Sequence, residues 1–487
     1  MSTTAPFSEE QLALRVRGGP GCDVLVAGGG VSGAVAAIAA ARCGARVLLV
    51  EEQGFLGGSL TAMGVGPMMS FHNPAGRQVV RGIADEIIAR LRARGASTGH
   101  IPDTTTYCST VTPFDSEELK IELETMLAEA GGAGGAGGAG GQVLFHTQIA
   151  AVEKTAGGAI SRVIVCNKAG LMSLAAKVFV DATGDGDLAA RAGVPFQLGR
   201  EKDGAAQPMT ANLKLANVDT AAIRAHALAH PEEFLFHPGG REEAARRLRE
   251  SPRISLAGFL SEWRAARERG EVDVPRDQVL FFETAEPGVV ILNTSRVTGL
   301  DATDPFQLSR AEAIGRRQCA QIFAFLKKHA VGFANAVRMD TAAKIGVRES
   351  RHIKGRHVLT AEDLLAARAF DDAVALGAYP IDIHSADGQA VTSTTHLRPD
   401  AAYQIPLRSL LVEQPANLVV TGRCISATHE ASAAFRVTPI AMAIGHAGGV
   451  AAAEAALRGV APAEVPFSAI RRRLLAQGAQ LPEAAGN

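Results

Sequence analysis

The run Asp23-Val-Leu-Val-Ala-Gly28-Gly29-Gly30-Val31-Ser32-Gly33 constrains this chain more than any other stretch, together with Arg46-Val-Leu-Leu-Val-Glu51 after an alanine-rich segment. It predicts a strand, a tight glycine turn, a helix and a second strand ending on an acidic residue. Gly28 permits the turn, Gly30 lets the backbone approach a pyrophosphate, and Gly33 lets helix and strand pack closely. The N–H groups of Val31 and Ser32 open the helix and present the positive end of its dipole to phosphates. Glu51 follows Gly30 by 21 residues, where a carboxylate accepts hydrogen bonds from an adenosine ribose. A glycine fingerprint framed by both strands and the acid predicts a bound dinucleotide.

At 487 residues the chain exceeds what one hydrophobic core usually supports, so two structural domains are expected. A formal charge of −1 gives no global field for nucleic acid or anionic lipid. Aromatic residues make up 5%, and no basic strand interleaved with aromatics argues for nucleic-acid binding. Six cysteines (22, 43, 108, 166, 319, 424) form no CxxC, and no Cys/His cluster stands at ligand spacing, so neither disulfides nor a metal are expected. The N-terminus lacks the basic region and long apolar core of a secretory signal. Residues 31–41 are too few to cross a bilayer, and 439–457 carry His446 and Glu454 among alanines and glycines. The expectation is a cytoplasmic protein without a membrane span.

Amphipathic helices are expected at 83–94 and at about 115–130, the latter capped by Asp115 or Ser116. The repeat GGAGGAGGAGG at 131–141 reads as a flexible connector. Strands follow at 142–146, 148–154, 160–167 and 172–180, the last entering Asp181-Ala-Thr183-Gly184-Asp185. Residues 207–218 and 288–297 are further strand candidates, with a charged helical stretch at 231–269 between them. Helices are expected at 308–330, 361–376 and 438–457, and a buried strand at 417–421 enters Gly422-Arg423-Cys424. The runs at 23–28, 46–50, 142–146, 176–181 and 417–421 read as strands buried on both faces, hence parallel. They lie at both ends of the chain, so one nucleotide-binding domain (17–195 and 403–475) would enclose an inserted domain (196–402).

Several motifs together resemble one family. They are GGGVSGAVAAIAAARCGARVLLVE (28–51), GFLGGSLTA (54–62), GRQVVRGIADEI (76–87), DATGDGDLAARAG (181–193), IGVRESRHIKGRHVLTAEDL (345–364), YPIDIH (379–384) and NLVVTGRCISATHEASAAFRVTPIAMAIGHAGG (417–449). The chain resembles the FAD-dependent oxidoreductases of the glutathione-reductase-like superfamily, in the bacterial branch related to fumarate reductase flavoproteins. The resemblance implies an α/β fold: a discontinuous Rossmann-like FAD-binding domain with an inserted α+β substrate domain. It implies that Glu51, with Glu52 beside it, meets the adenosine ribose. The loop of Gly57, Gly58, Ser59 and Thr61 would lie along flavin and phosphates, with Thr183, Gly184 and Asp185 as a second pass. Gly422-Arg423 departs from the Gly-Asp of many relatives, so backbone groups there would serve the cofactor. Arg436 and the helix start at Thr438 and Pro439 are the candidate donors to the flavin O2, where negative charge develops on reduction; a surface salt bridge is the alternative for Arg436. No attachment motif is evident, so the FAD is expected to be non-covalent.

A flavin dehydrogenase usually needs a base for the companion proton, and histidine suits that role. His384, His429 and His72 stand out by context, each with a backbone-bonded structural role as the alternative. Arg348 and Arg351 are three apart, so on a helix they would share one face, and with His352 beside them they could hold a carboxylate in bidentate fashion. They could equally brace the two domains through Glu349 or Asp382, or meet phosphate. The expected function is an FAD-dependent dehydrogenase or reductase acting on a small organic substrate by hydride transfer at flavin N5, with the electron acceptor open. A flavin monooxygenase is the alternative enzyme, and a non-catalytic flavin scaffold the alternative of another class. A homodimer is a generic expectation.

Overall fold

A computed structural model describes residues 13–131, 141–237, 240–387 and 392–483; residues 132–140 of the glycine connector lie outside them. At its centre are five strands, β1 (Cys22–Ala27), β2 (Val47–Val50), β3 (Gly141–Leu144), β4 (Ala176–Asp181) and β5 (Leu418–Val420). Their spatial order is β5-β4-β1-β2-β3, and every pairing is parallel. The valines and leucines of β1, β2 and β5 are buried on both faces, as the unbroken apolar runs predict. Only β3 is half-exposed, because it forms the edge of the sheet.

Helix α1 (Val31–Arg42) follows β1, and α2 (Thr438–Arg458) comes from the far end of the chain to lie against it. A Cβ on Gly445 would stand 2.1 Å from the carbonyl oxygen of Ser32, and one on Gly449 2.1 Å from that of Ala36. The two helix backbones therefore touch, which explains why α2 is built from alanine and glycine. By length and composition α2 could cross a membrane, but 89% of its most apolar window is buried inside the protein.

Between β3 and β4, strands Gln148–Lys154, Ile160–Asn167 and Gly170–Leu174 form an antiparallel meander. The single strand expected at 172–180 is thus two: the chain leaves the meander at Leu174 and joins the parallel sheet at Ala176. A second sheet is antiparallel, from Leu213–Ala216, Ser255–Gly258, Val279–Glu283, Val290–Leu292 and Val337–Thr341. Helix Pro305–His329 packs with it around Trp263, Phe281, Phe325 and Phe333. The expected helical stretch at 231–269 resolves into helices Gly240–Glu250 and Leu260–Glu268 on either side of strand Ser255–Gly258.

The helix expected at 361–376 stops at Leu365. Residues Ala373–Gly377 form a fully buried strand paired with Tyr403–Pro406, so burial of the apolar run overrides its helical propensity. The second core draws on residues from Met209 to Val347, whereas Ile353 and most of the buried apolar residues after it pack into the first. The architecture is α/β, a Rossmann-like nucleotide domain assembled from both ends of the chain with an additional domain between. Replacing Gly449 with Ala should force the two helices apart and cost about 1–3 kcal/mol. Thermal unfolding should show a midpoint lowered by several degrees, while Gly18→Ala, where a Cβ meets nothing within 4 Å, should leave it unchanged.

Candidate active site

One cavity of about 690 Å³ runs from the carboxyl ends of β1, β2 and β4 to the second sheet. At its nucleotide end Gly28 turns the chain at φ +94°, and a Cβ there would lie 2.6 Å from the carbonyl oxygen of Ala182. Gly33 is more constrained still, since its Cβ would lie 1.8 Å from the carbonyl oxygen of Gly28. At Gly30, by contrast, a Cβ would project into open space, with nothing nearer than Gly58 at 4.0 Å. Helix α1 opens there without a side-chain cap, and among the described residues the buried Ser32 hydroxyl has no hydrogen-bond partner. The N–H groups that open the helix, the Ser32 hydroxyl and a side-chain-free floor form a cradle for a phosphate.

Glu51 is fixed by its own backbone surroundings: Gly29 N–H donates to Oε2 at 2.5 Å and Gln53 N–H to Oε1 at 2.8 Å. Burial raises its pKa against those two hydrogen bonds. Glu52 pairs with Lys344, which reaches over from the second domain. At the end of β4, Asp185 Oδ1 accepts from Ser350 Oγ and from Arg423 Nη2, each at 2.5 Å. Burial opposes its charge, but Arg423 and Ser350 outweigh that and lower the pKa.

The other end is built from Asn293, Arg348, Tyr379, Asp382, His384 and Arg436. Strand Ile381–His384 alternates, so Asp382 and His384 point the same way. His384 Nδ1 lies 3.0 Å from Arg296 Nη2; a guanidinium only donates, so Nδ1 is the acceptor and the ring proton sits on Nε2, 3.2 Å from Asp382 Oδ2. Burial, aided by Arg348 and Arg436 against the pull of Asp382, lowers the His384 pKa to about 3, so the ring is neutral at working pH. Asp382 also accepts from the Tyr379 hydroxyl at 3.2 Å and lies 3.7 Å from Arg436. Burial works against its charge, but His384 and Arg436 hold it far below the usual carboxylate range.

A family model described as FAD dependent oxidoreductase matches residues 23–474. The chain belongs to that family. This flavoenzyme is similar in fold to a geranylgeranyl bacteriochlorophyll reductase-like protein from Thermoplasma acidophilum (14% identity, 94% of this chain and 84% of that one, TM-score 0.44). It is also similar to p-nitrophenol 4-monooxygenase from Pseudomonas putida DLL-E4 (11% identity, 94% and 85%, TM-score 0.42). A third likeness is to aklavinone-11 hydroxylase, solved with FAD and aklavinone (14% identity, 90% and 63%, TM-score 0.44). No curated protein matches the sequence.

The cradle fits FAD, the cofactor of the family. Gly28, Gly30, Val31, Ser32, Glu51, Glu52, Gly58, Ser59, Thr183, Gly184, Asp185, Gly422, Arg423, Arg436 and Thr438 all line the cavity. Gly33, Gly57 and Thr61 stand behind it: Gly33 seats α1 on the turn, and the Thr61 side chain lies under Gly57 while its hydroxyl donates to Leu56 O. Pro439 is the second residue of α2 and Thr438 the first.

The catalytic candidates separate more sharply. Arg348 and His384 line the cavity; Arg351, His429 and His72 do not. Residues 346–353 run extended, pairing at Gly346 with Thr210 and at Arg351–Ile353 with Phe196–Leu198, so Arg348 and Arg351 do not share a helix face. Arg351 instead donates to Asp185 O and Asp187 Oδ1, bracing the loop after β4. His429 Nδ1 lies 2.7 Å from Glu349 Oε1, and the same carboxylate takes His352 and the Gln207 N–H. Gln207 Oε1 in turn accepts from Arg436 and from His384 N–H, so His429 stands one layer behind the site. His72 lies against Thr110 and His100, and burial lowers its pKa to about 4.

Asn212, Asn293, Arg296, Lys344 and Tyr379 are site residues that the sequence reasoning missed. The alternation in Ile-Asp-Ile-His signals the shared face of Asp382 and His384, whereas the others come from separate strands and loops with no local pattern. Burial opposes the charge of Glu349, but His352 and His429 outweigh it and lower its pKa to about 2. A depressed carboxylate stabilises the fold above its unfolded pKa, and that contribution is lost as pH falls through the folded value. Glu349→Gln should therefore destabilise by about 3 kcal/mol near neutrality. In denaturant melts across pH, the gap from wild type should close between about pH 4.5 and 2.

Proposed function

We propose that this flavoenzyme oxidises or reduces a small organic molecule by hydride transfer at flavin N5, in the cavity between its two domains. The observation that carries the reading is the continuity of one cavity, with the phosphate cradle at Gly30 and Ser32 at one end and Arg348, Asp382 and His384 at the other. When bound, FAD supplies the hydride acceptor or donor. Gly30, Val31 and Ser32 would hold its pyrophosphate and Glu51 its ribose, with Gly58 and Ser59 along its length. The uncapped start of α2 would face developing negative charge on the flavin. On the substrate side Arg348 binds, Asp382 accepts a hydrogen bond from a substrate donor, and Tyr379 orients Asp382. His384, with both ring nitrogens engaged, is a positioning residue.

The purified protein should be yellow, and trichloroacetic acid should leave the colour in the supernatant. Gly30→Val should fold, as its Cβ meets no clash, yet lose flavin because it fills the cradle; circular dichroism and flavin absorbance check the two halves. Anaerobic incubation with metabolite pools should bleach the flavin without NAD(P)H. Bleaching that strictly requires NAD(P)H, with substrate-dependent oxygen uptake, would instead mark a monooxygenase.

A further inference from the structure

We propose that the inner end of the cavity is an anion subsite, in which Arg348 and Arg436 bind the carboxylate of a substrate that also carries a hydrogen-bond donor for Asp382. This deepens the flavoenzyme reading and rests on it. Four guanidiniums converge here, those of Arg276, Arg296, Arg348 and Arg436, against the carboxylate of Asp382. Asp382 is already shared among His384, Tyr379 and Arg436.

Among the described residues the hydrogen-bond partners of Arg348 are neutral. Its Nη1 donates to Pro208 O at 2.7 Å and Thr210 Oγ1 at 2.6 Å, and its Nη2 to Asn293 Oδ1 at 3.0 Å. Arg276 donates to Asn293 O at 2.6 Å; among the described residues its buried Nε has no acceptor, and neither does the buried Nε of Arg436. Among the described residues no carboxylate lies within ion-pair distance of Arg348 or Arg276. Burial and the neighbouring arginines push the Arg348 pKa well down, and burial and Arg296 bring Arg276 down to about 9. Buried positive charge without a counter-ion is costly, and an entering anion relieves that cost where the dielectric is low.

Arg348 and Arg436 line the cavity while Arg276 does not, which gives the ligand two guanidiniums to meet. The ionised Asp382 between them and His384 repels a second anionic group. The subsite therefore suits a monocarboxylate bearing a hydroxyl or amino group rather than a dicarboxylate or a phosphate. The structure replaces the partner that sequence spacing suggested for Arg348: the second guanidinium is Arg436, not Arg351.

The test uses the FAD-loaded enzyme, titrated with glycolate, lactate, alanine and acetate and with glycolamide and lactamide as their neutral counterparts. Flavin absorbance and thermal shift are read together. The hydroxy- or amino-carboxylates should bind saturably, at least about tenfold more tightly than the amides and more tightly than acetate. Arg348→Met should remove that preference, and Arg348→Lys should restore part of it. Amides binding as well as the acids would overturn the subsite, as would an Arg348→Met enzyme with unchanged acid affinity. The wild-type comparison of acid with amide stands even if the variants do not fold. A colourless wild-type protein would defeat the flavoenzyme reading, whereas a yellow enzyme indifferent to every acid would defeat only the subsite.

Discussion

The rest of the structure depends on backbone contact between α1 and α2. Gly445 and Gly449 bring α2 against the carbonyls of Ser32 and Ala36, and Gly33 brings α1 onto the turn at Gly28. Packing this close admits no side chain at any of the three positions. It also sets two uncapped helix N-termini, at Val31 and Thr438, on the walls of one cavity. A segment more than 400 residues downstream of the fingerprint thereby completes its site. Two oriented helix dipoles then supply positive potential without mobile side chains, which suits an anionic, electron-accepting cofactor.

Charge is divided unevenly along the cavity. At the nucleotide end, carboxylates dominate but are tied down: Glu51 by backbone N–H groups, Glu52 by Lys344, and Asp185 by Arg423 and Ser350. At the far end Arg348 and Arg436 line the cavity with Asp382 beside them. Lys344, Ser350 and Arg351 all cross from outside the nucleotide fingerprint to hold its loops. Bound cofactor would thus tighten contacts between the domains as well as fill the cradle. Behind the site, Glu349 joins His429 and His352 to Gln207, which touches both Arg436 and His384. That network ties Arg436 and His384 at the far end of the cavity to groups one layer behind it.

What was legible in the sequence follows from range. The strand, turn and helix at 22–42 are local, with each glycine role readable from spacing, and Glu51 follows by chain length alone. The strand at 418–420 was readable as a buried run even though its neighbour in the sheet, β4, is distant in sequence. Where tertiary context decided, local reading failed. The apolar residues 373–377 carry no sign that Tyr403–Pro406 will pair with them. Arg348 and Arg351 would share one face on a helix, but Gly346 pairs with Thr210 and Arg351–Ile353 with Phe196–Leu198. In an extended chain residues three apart face opposite ways, so Arg348 and Arg351 part company. The far end of the cavity was least legible because Asn293, Arg296 and Tyr379 come from outside the strand that carries Asp382 and His384. Only the alternation of Ile-Asp-Ile-His left a trace of it.

The most direct measurement is a crystal structure of the protein loaded with FAD. The account predicts the pyrophosphate on the N–H groups of Val31 and Ser32, a ribose hydroxyl on Glu51, and the isoalloxazine between Ser59 and the Arg348–Asp382 end. A nucleotide bound elsewhere, or an isoalloxazine turned away from Arg348 and Asp382, would contradict it.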